Sequence, residues 1–282
     1  MLITSDQIIK RAQKCLKEGR NAAAAYTALG MAFFEKDLLD KAAFHYGKAV
    51  ELDPAYAPAY AGMGIVYGKK GLITESIFNL KEAIRLEPDC ALLYNWLGDA
   101  YFDQGRIDDA IREYTRAIEG NPHDSNAHND LADAFRLKGD YDQARRHYDA
   151  TLAIDPGDTN ALLELAQVLI RLGQKQDAIN RLNDLIRDYP DSDDARTAKV
   201  VLASLATQDG DLSTARAYLE QATRDYPFNP TIQFHLGLCH LLLEDLEPAK
   251  DHLQRALDLD PTNVRAQRLL QQIDRGRRRH SA

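Results

Sequence analysis

Cysteine is scarce in this chain: Cys15, Cys90 and Cys239 are its only three in 282 residues. They lie far apart, so the sequence offers no disulfide framework and no paired-cysteine metal spacing. No run of eighteen or more apolar residues occurs, which excludes a conventional membrane-spanning helix and predicts no membrane insertion. The stretch after Met1 lacks the charged, apolar and small segments of a secretory leader, and the expected location is the cytoplasm. Also missing are a Walker loop, a dinucleotide glycine fingerprint and an HExxH pair. The nearest approach to a metal site is His235 and Cys239, i,i+4 neighbours on one predicted helix, and two ligands do not make a zinc site. Nothing calls for a catalytic residue, a metal or a cofactor, so the chain is not read as an enzyme.

Basic charge is also short, and its deficit is localised. The formal net charge is −8; residues 91–158 alone carry 14 acidic and 7 basic side chains. An acidic body is a poor partner for nucleic acid. One basic cluster stands apart, Arg275 to His280, and has two readings: a nucleic-acid or acidic-lipid contact, or cations that complement a helix C-terminus.

What the chain has in abundance is repetition. Pro54, Pro88, Pro122, Pro156 and Pro190 are each 34 residues apart, as are Pro227 and Pro261. A fixed period of this size is the mark of a solenoid. Small residues recur in the same frame: Gly30, Gly64, Gly98, Ala132, Ala166, Ala203 and Gly237, then Ala42, Ser76, Ala110, Ala144, Ala178, Ala215 and Ala249. Two helices approach closely only where facing side chains are small. Each proline stops a helix, and glycines such as Gly105 end the one before it.

The unit Ala91–Pro122 shows the whole pattern: Tyr94, Leu97-Gly98, Tyr101, Gly105, Ala110, Tyr114, Ala117 and Pro122. This closely resembles the tetratricopeptide repeat (TPR) family. The resemblance implies an all-α fold, a right-handed superhelical solenoid of antiparallel helix pairs with capping helices at both ends. The expected division is an N-terminal capping helix in 1–22, seven repeats at 23–56, 57–90, 91–124, 125–158, 159–192, 196–229 and 230–263, and a C-terminal capping helix with its basic tail in 264–282. Ser5 or Asp6 is the expected N-cap of the first helix. Pro190 to Pro227 is 37 residues, and the surplus falls on 193–195. These three residues either lengthen a loop, which is tolerated cheaply, or add a turn to a helix.

In the TPR family the first helix of each pair lines an inner groove. Carried onto this chain, the resemblance places a polar set there: Asn95, Asp99 and Asp103; Asn126, Asn129, Asp130, Asp133 and Arg136; Asn160, Glu164, Gln167 and Arg171. Equivalent positions elsewhere are apolar, among them Met31, Phe34, Ile65, Val200, Val201, Phe234, Leu238 and Leu241. Trp96, the single tryptophan, holds a groove position, either as an anchor for a partner or as packing against the next repeat. The family's chaperone-carboxylate clamp and its asparagine ladder are both absent. Carboxylates concentrate cations and amides bond peptide backbone. The expected function is therefore a non-catalytic scaffold or adaptor, with a Lys- or Arg-rich peptide segment or partner protein opposite repeats three to five. Alternatives are a substrate-docking or regulatory array of an enzyme or secretion complex, and self-association through the apolar terminal repeats.

Overall fold

The computed structural model describes residues 4–280, with side chains to residue 274. Its described residues form sixteen helices and no strand. They fall into two compact units, residues 1–156 and 157–282.

The first unit begins with α1 (Ser5–Lys17), followed by four hairpins: α2 (Ala22–Glu35) with α3 (Leu39–Leu52), α4 (Ala57–Lys69) with α5 (Ile73–Leu86), α6 (Ala91–Asp103) with α7 (Ile107–Gly120), and α8 (Ser125–Lys138) with α9 (Tyr141–Ile154). Thr4, not Ser5 or Asp6, is the N-cap of α1: its hydroxyl accepts from the Gln7 amide while the Gln7 side chain accepts from Thr4 N–H. That reciprocal box satisfies two end-of-helix donors, which a cap one residue later would forgo. Ala12 then buries against Ala25 and Leu29 of α2.

In four of the hairpins a glycine near the middle of the first helix receives a large side chain from the second. A Cβ on Gly98 would sit 2.5 Å from the Tyr114 ring, and one on Gly64 would sit 2.6 Å from Leu80. Between hairpins, Leu80 and Ile77 of α5 join Leu97 and Tyr101 of α6, Tyr114 of α7 and Leu131 of α8 in one core. Each pair thus buries its apolar face only by stacking on a neighbour.

The second unit comprises α10 (Thr159–Arg171) with α11 (Lys175–Asp188), α12 (Asp193–Gln208) with α13 (Leu212–Asp225), α14 (Pro230–Leu242) with α15 (Leu246–Leu259), and α16 (Val264–His280). Residues 193–195 are helical, not loop: they make α12 16 residues long where its counterparts have 13 or 14. Ser192 caps the extra turn by accepting from Ala195 N–H, and Asp193 and Asp194 suit the positive end of the helix dipole. Helix α16 lays Ala266, Leu270 and Ile273 on Leu253 of α15, while Val264 stays exposed. The side chains of the basic cluster 275–280 lie outside the described residues.

The turns within hairpins take left-handed backbone. Gly105 adopts φ 75° without strain, but the first and last hairpins place Asp37 (φ 59°) and Glu244 (φ 63°) at the equivalent position. Side-chain-bearing residues reach that region only at a cost.

Candidate functional site

Helices α6 and α8 carry the polar stripe at helical spacing. Asn95, Asp99 and Asp103 are four residues apart on α6, on the face opposite the core side chains Leu93, Leu97 and Tyr101. On α8, Asn126, Asn129, Asp130, Asp133 and Arg136 form the matching stripe, and the helix begins where Asp124 accepts from the amides of Asn126 and Ala127. Asn95 is buried; Asp99, Asn129, Asp130, Asp133 and Arg136 are half-buried; Asp103 and Asn126 are exposed.

The structure links several of these directly. Asn95 Nδ2 donates to Asp130 Oδ2 across the two helices at 3.0 Å. Asp99 Oδ1 accepts from the Tyr114 hydroxyl at 2.9 Å, and Asp133 Oδ1 accepts from the Tyr148 hydroxyl at 2.6 Å. Asp133 also forms an ion pair with Arg136 at 2.9 Å. No such cation serves Asp99 or Asp130 among the described residues. Half-buried and close to other carboxylates, both hold their protons unusually well. Burial, with the Asp130 charge next, pushes Asp99 up to about 7. Burial raises Asp130 to about 6, against the lowering effect of the Asn95 bond. Two side-chain oxygens in the stripe, Asn95 Oδ1 and Asn129 Oδ1, are buried without a hydrogen-bond partner.

The repeat pattern does not mark the tyrosine hydroxyls. Tyr114 and Tyr148 read as core aromatics, and their rings are core, but each hydroxyl reaches a carboxylate of its own hairpin. The signal was available: in both pairs an Asp precedes the Tyr by 15 residues.

Asn160, Glu164, Gln167 and Arg171 belong to α10 of the second unit. There Glu164 accepts from Gln167 Nε2 at 2.9 Å, while Asn160 and Arg171 are exposed. Among the apolar residues assigned to the groove, Phe234 and Leu241 pack into the α15–α16 core, and Val200 packs against the α12–α14 core. In the first unit Met31 remains half-exposed, and Trp96 packs partly against two core clusters. His240, at a core position, stacks on His252 with ring centroids 5.5 Å apart. Among the described residues there is no group of three potential metal ligands, and no helix is long and apolar enough to cross a membrane.

Sequence profiles of two kinds match the chain. Those described as "Tetratricopeptide repeat" match residues 97–159, 200–264 and 135–202, and one described as "TPR repeat" matches 30–71 and 69–105. No curated protein matches by sequence. Among solved structures, MamA is similar at 26% identity and a TM-score of 0.53, covering 56% of this chain and 93% of that one. A tetratricopeptide repeat protein from Parabacteroides merdae shares 17% identity at a TM-score of 0.65 over 89% of this chain and 98% of its own. YrrB, described as a TPR protein with an unusual peptide-binding site, shares 18% identity at a TM-score of 0.53 over 67% and 96%. The last two likenesses are of fold.

Proposed function

Because the chain belongs to the tetratricopeptide repeat family, we propose that it is a protein-interaction scaffold whose α6–α8 face holds a Lys- or Arg-bearing segment of another protein. One observation carries this reading: Asp99 and Asp130 are half-buried carboxylates placed near each other without a cation of their own. A structure that only needed stability would gain by neutralising or pairing them. A cationic side chain arriving from a partner supplies the missing charge, and the free oxygens of Asn95 and Asn129 can accept from its backbone or its head group. YrrB's peptide-binding site is a property of that protein. Here the support comes from the residues themselves.

On the second unit, taken by itself, the α10 residues Asn160, Glu164, Gln167 and Arg171 offer a polar face of the same kind for a basic segment. Cytoplasmic residence belongs to the same proposal, since Cys15, Cys90 and Cys239 are all free and thiols persist in that compartment. The adaptor acts by docking and has no catalytic role of its own.

The test is capture of partners from the source lysate by the parent and by an Asp99→Asn/Asp130→Asn variant. A partner held by the parent and lost by the variant supports the site. Binding should weaken as salt rises, because the contact is ionic and the Debye length shortens to about 8 Å at physiological strength. Equal capture by both proteins would move the site elsewhere.

A further inference from the structure

Trp96 is the wall between two adjoining depressions in the first unit. On one side is an apolar pocket of about 250 Å³ bounded by Met31, Tyr46, Ile65, Leu92 and Trp96. On the other is a space of about 170 Å³ whose lining adds Lys69, Asp99 and Asp103 to Ile65 and Trp96. Lys69 is already engaged, with its ammonium 2.8 Å from Asp37 and over the Phe34 ring. The two aspartates therefore face the smaller space with no cation committed to them.

Gly62 lines the apolar pocket, and a Cβ there would meet the Tyr46 ring at 2.3 Å, so that ring packs directly on the backbone and is itself part of the lining. Two large apolar residues at the edge, Met31 and Leu92, are 53% and 44% exposed. Thr27 also lines it. That residue is only 6% exposed, yet its Oγ1 has no hydrogen-bond partner. A buried hydroxyl is ordinarily satisfied. An open apolar space with one unsatisfied hydroxyl, next to an acidic one, is shaped for a ligand of mixed chemistry.

We propose that the apolar pocket seats one large apolar side chain of the bound segment, while a Lys or Arg of the same segment passes over Trp96 to Asp99 and Asp103. This rests on the reading of α6–α8 as a site for a basic segment, and it adds the apolar anchor and its order relative to the cation. The shared wall sets the spacing. In an extended segment, side chains two residues apart leave on one side about 7 Å apart. In a helical segment the pair is three or four residues apart. A backbone N–H or carbonyl beside the anchor meets Thr27 Oγ1.

The experiment is selection of a displayed library of random peptides on the purified chain, followed by titration of a selected peptide with Trp96 emission as the readout. The chain's single tryptophan makes that signal specific to the pocket. Expected are peptides with an apolar residue at one of these spacings from a Lys or Arg. Replacing the apolar residue by Ser should weaken binding about 10- to 100-fold, the loss for leaving one such side chain out of its pocket, and abolish the emission change. The rim variant Met31→Asn/Leu92→Asn changes exposed positions, so it should fold as the parent does by circular dichroism and lose the apolar preference. If that variant and the Ser peptide bind as tightly as their parents while Asp99→Asn/Asp130→Asn loses binding, the anchor is wrong and the basic-segment reading stands. If Asp99→Asn/Asp130→Asn also binds unchanged, or no peptide is enriched, both fall.

Discussion

Asn95 Nδ2 donates to Asp130 Oδ2 at 3.0 Å, and the same amide leaves its Oδ1 buried with no partner. The bond joins two hairpins through polar atoms on a face where packing alone would have sufficed. It also holds down the proton affinity of Asp130, which burial has raised. Replacing Asn95 by Ala should therefore move the Asp130 titration midpoint above its value of about 6. Carboxyl carbon chemical shifts followed against pH would check this.

The raised values of Asp99 and Asp130 have a definite consequence for stability. The folded chain keeps these protons at pH values where the unfolded chain, titrating near 3.8, has released them. Their contribution is full below that value and is lost as pH rises through about 6 to 7. An Asp99→Asn variant keeps a neutral side chain throughout. Its melting temperature should equal the parent's in strong acid, pull ahead between about pH 4 and 7, and hold the lead above that. A variant that loses stability at pH 8 would contradict the assignment.

Acid acts on a different pair. His128 Nδ1 and His147 Nδ1 are 3.2 Å apart, with His128 Nε2 3.3 Å from the Pro122 carbonyl. Donation from Nε2 to that carbonyl leaves neutral His128 Nδ1 as the acceptor and His147 as the donor. Burial, then the neighbouring His128 and Arg146, lowers His147 to about 4. Because its folded value lies below the ordinary 6.5, its stabilising share falls away as pH drops from 6.5 towards 4. Position 147 tolerates Asn by analogy with Asn79, which occupies the equivalent place and bonds its own helix through Glu75 O. In His147→Asn the loss of melting temperature between pH 7 and 5 should shrink.

Two glycines make a matched test of packing. Gly98→Ala places a methyl 2.5 Å from Tyr114 and should cost about 1–3 kcal/mol as overpacking. It should also disturb the Tyr114–Asp99 bond. Gly47, inside α3, has nothing within 4 Å of a would-be Cβ, so Gly47→Ala should stabilise by about 0.5–1 kcal/mol. Urea denaturation of both variants reads the opposite signs.

Much of this architecture is legible in the sequence because its cause is repeated. The steric demand that puts a small residue at Gly30, Gly64, Gly98 and Gly237 recurs in hairpin after hairpin, as each meets a ring or a leucine from the second helix. Features that occur once or twice are harder to read. The groups on Asp99 and Asp133 are visible as residue types, but the turn of Tyr114 and Tyr148 towards them depends on side-chain direction across a hairpin. Gly62 reads as one more small residue that admits a ring, here Tyr46, while the pocket beside it is a space, and spaces have no letter. The Thr4 cap and the helical state of 193–195 rest on competition between neighbouring backbone arrangements that periodicity does not resolve.

The extra turn of α12 has a bearing on how the second unit assembles. Stacks of near-identical hairpins are exposed to docking out of order, each surface being a fair copy of the next. Helix α12 carries marks its counterparts lack. Asp194 accepts from the Thr159 hydroxyl at 2.6 Å, Asp193 accepts from the Tyr226 hydroxyl, and Arg196 lies 4.3 Å over the Tyr226 ring. The first two use carboxylates of the added turn, and the first turns of α10 and α14 carry no acidic residue. A mis-docked α10 or α14 has no residues to make them, so the irregular helix acts as a keyed joint that distinguishes the native order from its near-copies.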